Sequence, residues 1–129
     1  MKRQVLYIED NDQNFYLVQF ILNARGYETV RAATGREGIE MARTAAADII
    51  LLDIQLPDMA GYEVAQVLRR EQGLTIPIVA LTSYAMIGDR EKALEAGCVG
   101  YIEKPLDPRT FADQIDRFFS GDTRSEHTT

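Results

Sequence analysis

The chain is short of the groups that mark several large classes of protein. It has one cysteine, Cys98, so no internal disulfide can form, and a reduced, cytoplasmic setting is expected. Cys98 lies between Gly97 and Val99 at an expected helix–strand junction, where a free thiol serves as a small buried hydrophobe. The one histidine, His127, falls in a polar stretch, residues 120–129, that lacks apolar periodicity and reads as a flexible tail. An imidazole with no partner to orient it is not a catalytic group. The longest apolar runs are strand-sized, so no membrane span is expected, and Met1-Lys2-Arg3-Gln4 leads into a short strand rather than an apolar signal region. Lysines and arginines are scattered and the net charge is −6, so no nucleic-acid partner is expected. Internal repeats and interdomain linkers are absent as well.

What is present is the length of one ordinary domain, 129 residues, with a hydrophobic fraction of 46%, enough for a real core. Val5-Leu6-Tyr7-Ile8 reads as a first strand. Asn11 or Asp12 offers a helix N-cap, Phe15, Val18, Ile21 and Leu22 recur at helical spacing, and Gly26 closes that helix. Strands follow at 28–31, 48–52, 76–81 and 99–102. Between them lie helices that start at Thr34-Gly35, at Gly61 and within Ala85 to Ala96, where Gly88 weakens the first turn. Asp107 is placed to cap a last helix with Pro108 in its first position and Phe111, Ile115, Phe118 and Phe119 as its core stripe. The run Ile49-Ile50-Leu51-Leu52 has no polar alternation, as in a strand buried on both faces of a parallel sheet. Strands alternating with helices give an α/β fold with right-handed crossovers.

The chemistry-bearing residues follow the ends of those strands: Glu9-Asp10, Asp53, Thr82-Ser83 and Lys104-Pro105. In an open parallel sheet the functional crevice lies beyond the carboxyl ends of the strands. Acids gathered there repel by about 4 kcal/mol at about 4 Å and an effective dielectric of 20. A cation that balances them makes the clustering tolerable, and oxygen ligands with retained waters suit Mg2+. Asp10 and Asp53 are the expected direct ligands, with the backbone carbonyl of Gln55 as another and Glu9 acting through water. Asp53 is the expected nucleophile toward phosphorus, since an ionised carboxylate needs no separate base. Lys104 would add a second positive charge, its bond to Pro105 having access to the cis form, and Thr82 a hydroxyl for a phosphoryl oxygen. The competing readings are solvated strand-end acids, a surface lysine in a turn and a β-branched strand end.

Together, Glu9-Asp10, Asp53, Thr82 and Lys104-Pro105 resemble the receiver domain of two-component response regulators, over about residues 4–119. The run Ala80 to Met86, with Gly88-Asp89-Arg90 and Ala96-Gly97-Cys98, looks most like stand-alone receivers of the DivK type, and receivers within hybrid kinases look similar. The resemblance implies a flavodoxin-like (βα)5 three-layer sandwich with strand order 2-1-3-4-5, a receiver domain at 1–119 and a tail at 120–129. It implies that a histidine kinase or histidine phosphotransfer protein donates phosphate to Asp53 with Mg2+ as cofactor. Thr82 and Tyr101 would then act as switch residues, and a face made by the fourth helix, fifth strand and last helix would meet a downstream protein. The implied chain is a phosphoacceptor signalling protein rather than an enzyme, monomeric or weakly dimeric. With no output domain after the last helix, its message would pass through binding.

This chain departs from the family pattern at Ala60, where many relatives carry aspartate before Gly61. Gln55 and Tyr84 occupy variable places that would tune phosphate lifetime. An aspartate-nucleophile phosphatase wants a second acid two residues after the nucleophile, and Gln55 stands there. A flavodoxin proper wants a glycine loop for the flavin phosphate after strand one, where acids stand instead. A receiver that is never phosphorylated and serves as a docking scaffold is the remaining alternative.

Overall fold

Five apolar runs pair into a single parallel sheet in the computed structural model, which describes residues 2–83 and 88–120. The elements are β1 (Gln4–Ile8), α1 (Asp12–Ala24), β2 (Glu28–Ala32), α2 (Gly35–Thr44), β3 (Ile49–Asp53), α3 (Gly61–Arg70), β4 (Ile78–Thr82), α4 (Asp89–Glu95), β5 (Gly100–Glu103) and α5 (Phe111–Ser120). The sheet order is β2-β1-β3-β4-β5, with every pairing parallel, as expected. Every residue of β3 and β4 is buried, which explains why these runs lack polar alternation.

Successive strand residues point to opposite sides of the sheet and so feed two cores. Val5, Tyr7, Ile49, Leu51, Val79 and Leu81 pack with Phe15 and Val18 of α1 and with Phe111 and Ile115 of α5. Leu6, Ile8, Ile50, Leu52, Ile78 and Ala80 pack with Ala42 of α2, Val64 and Leu68 of α3, and Ala93 of α4. The result is a sheet between two helical layers. Cys98 is buried in the second core, and burial pushes its thiol up to about 12, which makes it inert packing. Among the described residues no helix is long and apolar enough to cross a membrane.

Local signals set most helix ends. Asn11 caps α1 by accepting from the Asn14 N–H at 2.8 Å. Thr34 caps α2 by accepting from Glu37 N–H at 3.0 Å, while the Glu37 carboxylate reaches back to Ala33 N–H at 2.9 Å. Gly26 adopts φ 97° just past the end of α1. The fourth helix lies within 85–96 as expected, with Gly88 at φ 93° as its N-cap and Asp89 as its first residue. Tyr84 and residues 121–129, including His127, lie outside the described residues, and of the tail expected at 120–129 only Ser120 is described, as the last residue of α5. At β4 and at Asp107 the structure differs from the sequence expectation. β4 begins after Pro77 rather than at Ile76, and Pro77 contributes only its carbonyl, accepting from Ile50 N–H. Asp107 caps a turn over 108–110 instead of the helix itself: its carboxylate accepts from Arg109 N–H at 2.9 Å, and α5 starts at Phe111.

The entry to α3 presses directly on the end of β3. Gly61 N–H donates to the Ile54 carbonyl at 2.9 Å, and Ala60 supplies no side-chain cap, so backbone contact rather than a capping side chain fixes the first turn of this helix. A β-carbon at Gly61 would lie 2.6 Å from the Asp53 carbonyl oxygen and 2.8 Å from Ile54 Cα. Neither backbone atom can swing aside. Gly61→Ala is therefore expected to cost about 1–3 kcal/mol of stability, read as a lowered urea midpoint with an unchanged slope.

Candidate functional site

Parallel register brings the strand ends to one level. Ile8 lies opposite Leu52, Asp53 opposite Leu81 and Thr82 opposite Glu103. The residues just beyond β1 and the last residues of β3 and β4 therefore meet at one edge of the sheet. Glu9, Asp53 and Thr82 are the buried polar residues among those described, at 0%, 6% and 2% exposure. Glu9, Asp10 and the Asp53 carboxylate each offer an oxygen, and these oxygens lie within 4.8 Å of one another, with Asp10 on the solvent side. Lys104 enters from the end of β5, where its N–H donates to the Thr82 carbonyl at 2.7 Å and its peptide bond to Pro105 is cis. The Lys104 Nζ stands 2.6 Å from Glu9 Oε1 and 3.5 Å from Asp53 Oδ2.

Glu9 and Asp53 differ sharply in what holds them. The Glu9 Oε1 accepts from Lys104 and also from the Tyr7 hydroxyl at 2.7 Å, while Oε2 accepts from Asn11 N–H at 3.2 Å. Asp53 Oδ1 accepts from Gln55 N–H at 3.0 Å. Burial pushes Glu9 up, but the bonds from Lys104, Asp53 and Tyr7 outweigh it together and hold the carboxyl below its ordinary value. Burial raises Asp53, and the Glu9 carboxylate beside it adds to the rise. The Gln55 N–H and Lys104 oppose, and the balance leaves Asp53 at about 7. Without metal, then, the pair holds a proton near neutral pH, mainly on Asp53.

The donor set fits a hard divalent cation. The ligands are all oxygen, Asp10 leaves the cluster open to retained waters, and Glu9 is already committed to three donors, which suits contact through water rather than direct ligation. A bound cation would favour the ionised form of Asp53 and offset charge on an incoming phosphoryl group. Gln55 reaches the site through its backbone. Thr82 is buried at the end of β4, and Tyr101 of β5 is half-buried beside it. Burial raises the Tyr101 phenol, Asp89 and Glu103 push the same way, and the Thr82 hydroxyl opposes. The structure thus brings Glu9, Asp10, Asp53, Thr82 and Lys104 together at one edge, with Tyr101 next to Thr82. Sequence reasoning missed Tyr7, which it read as strand packing. The available signal was its spacing, since residues 7 and 9 of a strand face the same side.

The family model for the response regulator receiver domain matches residues 5–116. This chain belongs to the response regulator receiver family. The polar-differentiation response regulator DivK of Brucella ovis is 40% identical to it over 119 residues, 92% of this chain and 97% of that one. The chemotaxis protein CheY4 of Vibrio cholerae superposes with TM-score 0.85 at 28% identity, covering 92% of this receiver and 99% of that chain. A CheY-like receiver domain protein of Methanospirillum hungatei JF-1 superposes with TM-score 0.87 at 27% identity, covering 97% and 99%. The receiver therefore shares its strand order and layer arrangement with proteins of two-component signalling.

Proposed function

We propose that this receiver accepts a phosphoryl group on Asp53 from the phosphohistidine of a histidine kinase or histidine phosphotransfer protein, in a Mg2+-dependent reaction in the cytoplasm. The observation that carries this reading is the gathering of three carboxylate oxygens within 4.8 Å, with Lys104 in ion-pair range of two of those acids. An Asp53 carboxylate oxygen attacks phosphorus and the phosphorus–nitrogen bond of the donor breaks. Its electron pair returns to the imidazole: a donor ring already protonated on its other nitrogen leaves as neutral imidazole, and an unprotonated ring takes a proton from water. Asp10, Asp53 and the Gln55 carbonyl would hold Mg2+, with Glu9 reaching it through water. Lys104 steadies the transferred group electrostatically. The new phosphate adds a charge of about −1.5 to −2 at one point. Thr82 moves toward it, Tyr101 follows inward, and the face made by α4, β5 and α5 changes for a downstream partner. The protein acts as a monomer or weak homodimer.

The test is a phosphotransfer screen against histidine kinases of the host, alongside labelling by a small phosphodonor with and without Mg2+. Labelling that requires Mg2+ supports the reading. Its absence favours an unphosphorylated docking scaffold.

The donor's route in is also open to test. Tyr16, Leu17 and Phe20 are exposed on α1, a helix that starts two residues after Asp10, and Phe20 is 76% exposed. This apolar strip runs down from the acceptor crevice, where a protein presenting a phosphohistidine must pack. Phe20→Ala is expected to lower transfer from a phosphohistidine protein by about tenfold or more and leave labelling by a small phosphodonor unchanged. Equal losses with both donors would contradict this docking route.

A further inference from the structure

The hydroxyl of Tyr7 is buried at the centre of the site, yet the phosphoryl transfer described above assigns it nothing. Tyr7 is fully buried in β1, and its ring stacks on Phe15 with centroids 6.0 Å apart and planes 28° apart. Its hydroxyl donates to Glu9 Oε1 at 2.7 Å, the same oxygen that receives Lys104 Nζ at 2.6 Å. Lys104 is thus closer to Glu9 than to Asp53 Oδ2, 3.5 Å away. A phosphoryl group on Asp53 places new negative charge next to Lys104 and draws the ammonium away from Glu9. The departure would leave a buried carboxylate short of a donor, and an unsatisfied buried charge is costly. A cavity of about 70 Å³ lined by Tyr7, Asn14, Leu17, Lys104, Pro105 and Leu106 gives the lysine stem room to shift.

We infer that Tyr7 is a positioning residue of this site: its phenol keeps Glu9 in place and satisfied, so that Lys104 is free to move from Glu9 to the phosphoryl group on Asp53. The inference rests on the phosphoacceptor reading. A neutral donor suits this role, because it stays with Glu9 without adding a charge that would compete with Mg2+. The ring stacking on Phe15 fixes the hydroxyl, and the Asn11 N–H on the other Glu9 oxygen completes the hold. Tyr7 acts through Glu9 and Lys104 and touches neither donor nor phosphorus.

The experiment compares wild type, Tyr7→Phe, Lys104→Met and the double variant, each labelled by a small phosphodonor at saturating Mg2+. Tyr7→Phe removes only the hydroxyl and retains the stacked ring, and thermal unfolding checks that the fold is intact. The labelling rate is expected to fall about tenfold, the effect of one hydrogen bond to a charged group. Mg2+ affinity by titration calorimetry is expected to change less than about threefold, because Lys104 still holds Glu9 before transfer. In the Lys104→Met background, where no lysine has to leave Glu9, the effect of Tyr7→Phe on rate is expected to shrink to about twofold or less. A wild-type rate in Tyr7→Phe, or the same fractional loss in both backgrounds, overturns the inference while the phosphoacceptor reading stands. Absence of Mg2+-dependent label on wild type overturns both.

Discussion

Asp53→Asn abolishes Mg2+-dependent labelling of the chain and, at pH 8 without metal, raises its melting temperature. The first effect follows from removal of the nucleophile. An amide oxygen is a poor nucleophile toward phosphorus and carries no charge for Mg2+ to balance. The second follows from where Asp53 sits. Its carboxyl has an ordinary value of 3.8 and stands at about 7 in the folded chain, through burial first and then the neighbouring Glu9. Between those two values the folded state holds a proton that the unfolded chain has lost, so stability falls as pH rises from about 4 to about 7. Above about 7 both states are ionised, and the folded state carries two adjacent buried carboxylates. Asparagine relieves that cost. At pH 8 without metal the variant is expected to melt about 4 °C or more above wild type, and the gap should narrow as pH falls below 7 and close near pH 4. Mg2+ binds the folded state and stabilises wild type by mass action. It should raise the wild-type melting temperature and move that of Asp53→Asn little. A variant that melts below wild type at pH 8 would show that Asp53 is held as a satisfied ion rather than at a cost.

Lys104→Met has the other large expected effect, because it leaves Glu9 and Asp53 buried together without a cation. Removing one partner of a buried ion pair costs about 3–5 kcal/mol. The Lys104 ammonium, 9% exposed, pairs with Glu9 at 1% and Asp53 at 8%, so the pair is buried from both sides. The loss should be larger at pH 8 than at pH 5, where a proton on Asp53 takes over part of the lysine's work. Labelling should slow by about 10²–10³-fold, the size of effect seen when a preorganised donor to transition-state charge is removed. Denaturant unfolding at two pH values and labelling kinetics measure the two effects separately. Equal stability loss at both pH values would separate Lys104 from the Asp53 proton.

These effects were partly visible in the sequence. The parallel sheet could be read from Ile49-Ile50-Leu51-Leu52, because a strand buried on both faces has no room for polar alternation. The acid cluster could be read because a parallel sheet carries all its strand ends to one edge, so residues 9, 53 and 82 become neighbours whatever their separation in the chain. Register then fixed what the sequence left open, that Lys104 lies nearer Glu9 than Asp53. Helix ends were harder. Asp107-Pro108 suits the start of a helix and the start of a turn equally, and tertiary packing of Phe111 and Ile115 decides where α5 begins. Gly88 could be helical or left-handed, and its backbone angle settles the start of α4. Tyr7 was hidden because a tyrosine in an aliphatic strand reads as a ring to bury, and its hydroxyl acquires meaning only once Lys104, distant in sequence, arrives beside Glu9. Tyr16 and Phe20 lie off the buried stripe of α1, and only the packed helix reveals how far they stay exposed.

The most direct measurement is tandem mass spectrometry of the chain after reaction with a small phosphodonor, with and without Mg2+. One phosphoryl group that appears only with Mg2+ and maps to Asp53 is the predicted result. A phosphoryl group on another residue, or labelling that survives Asp53→Asn, contradicts it.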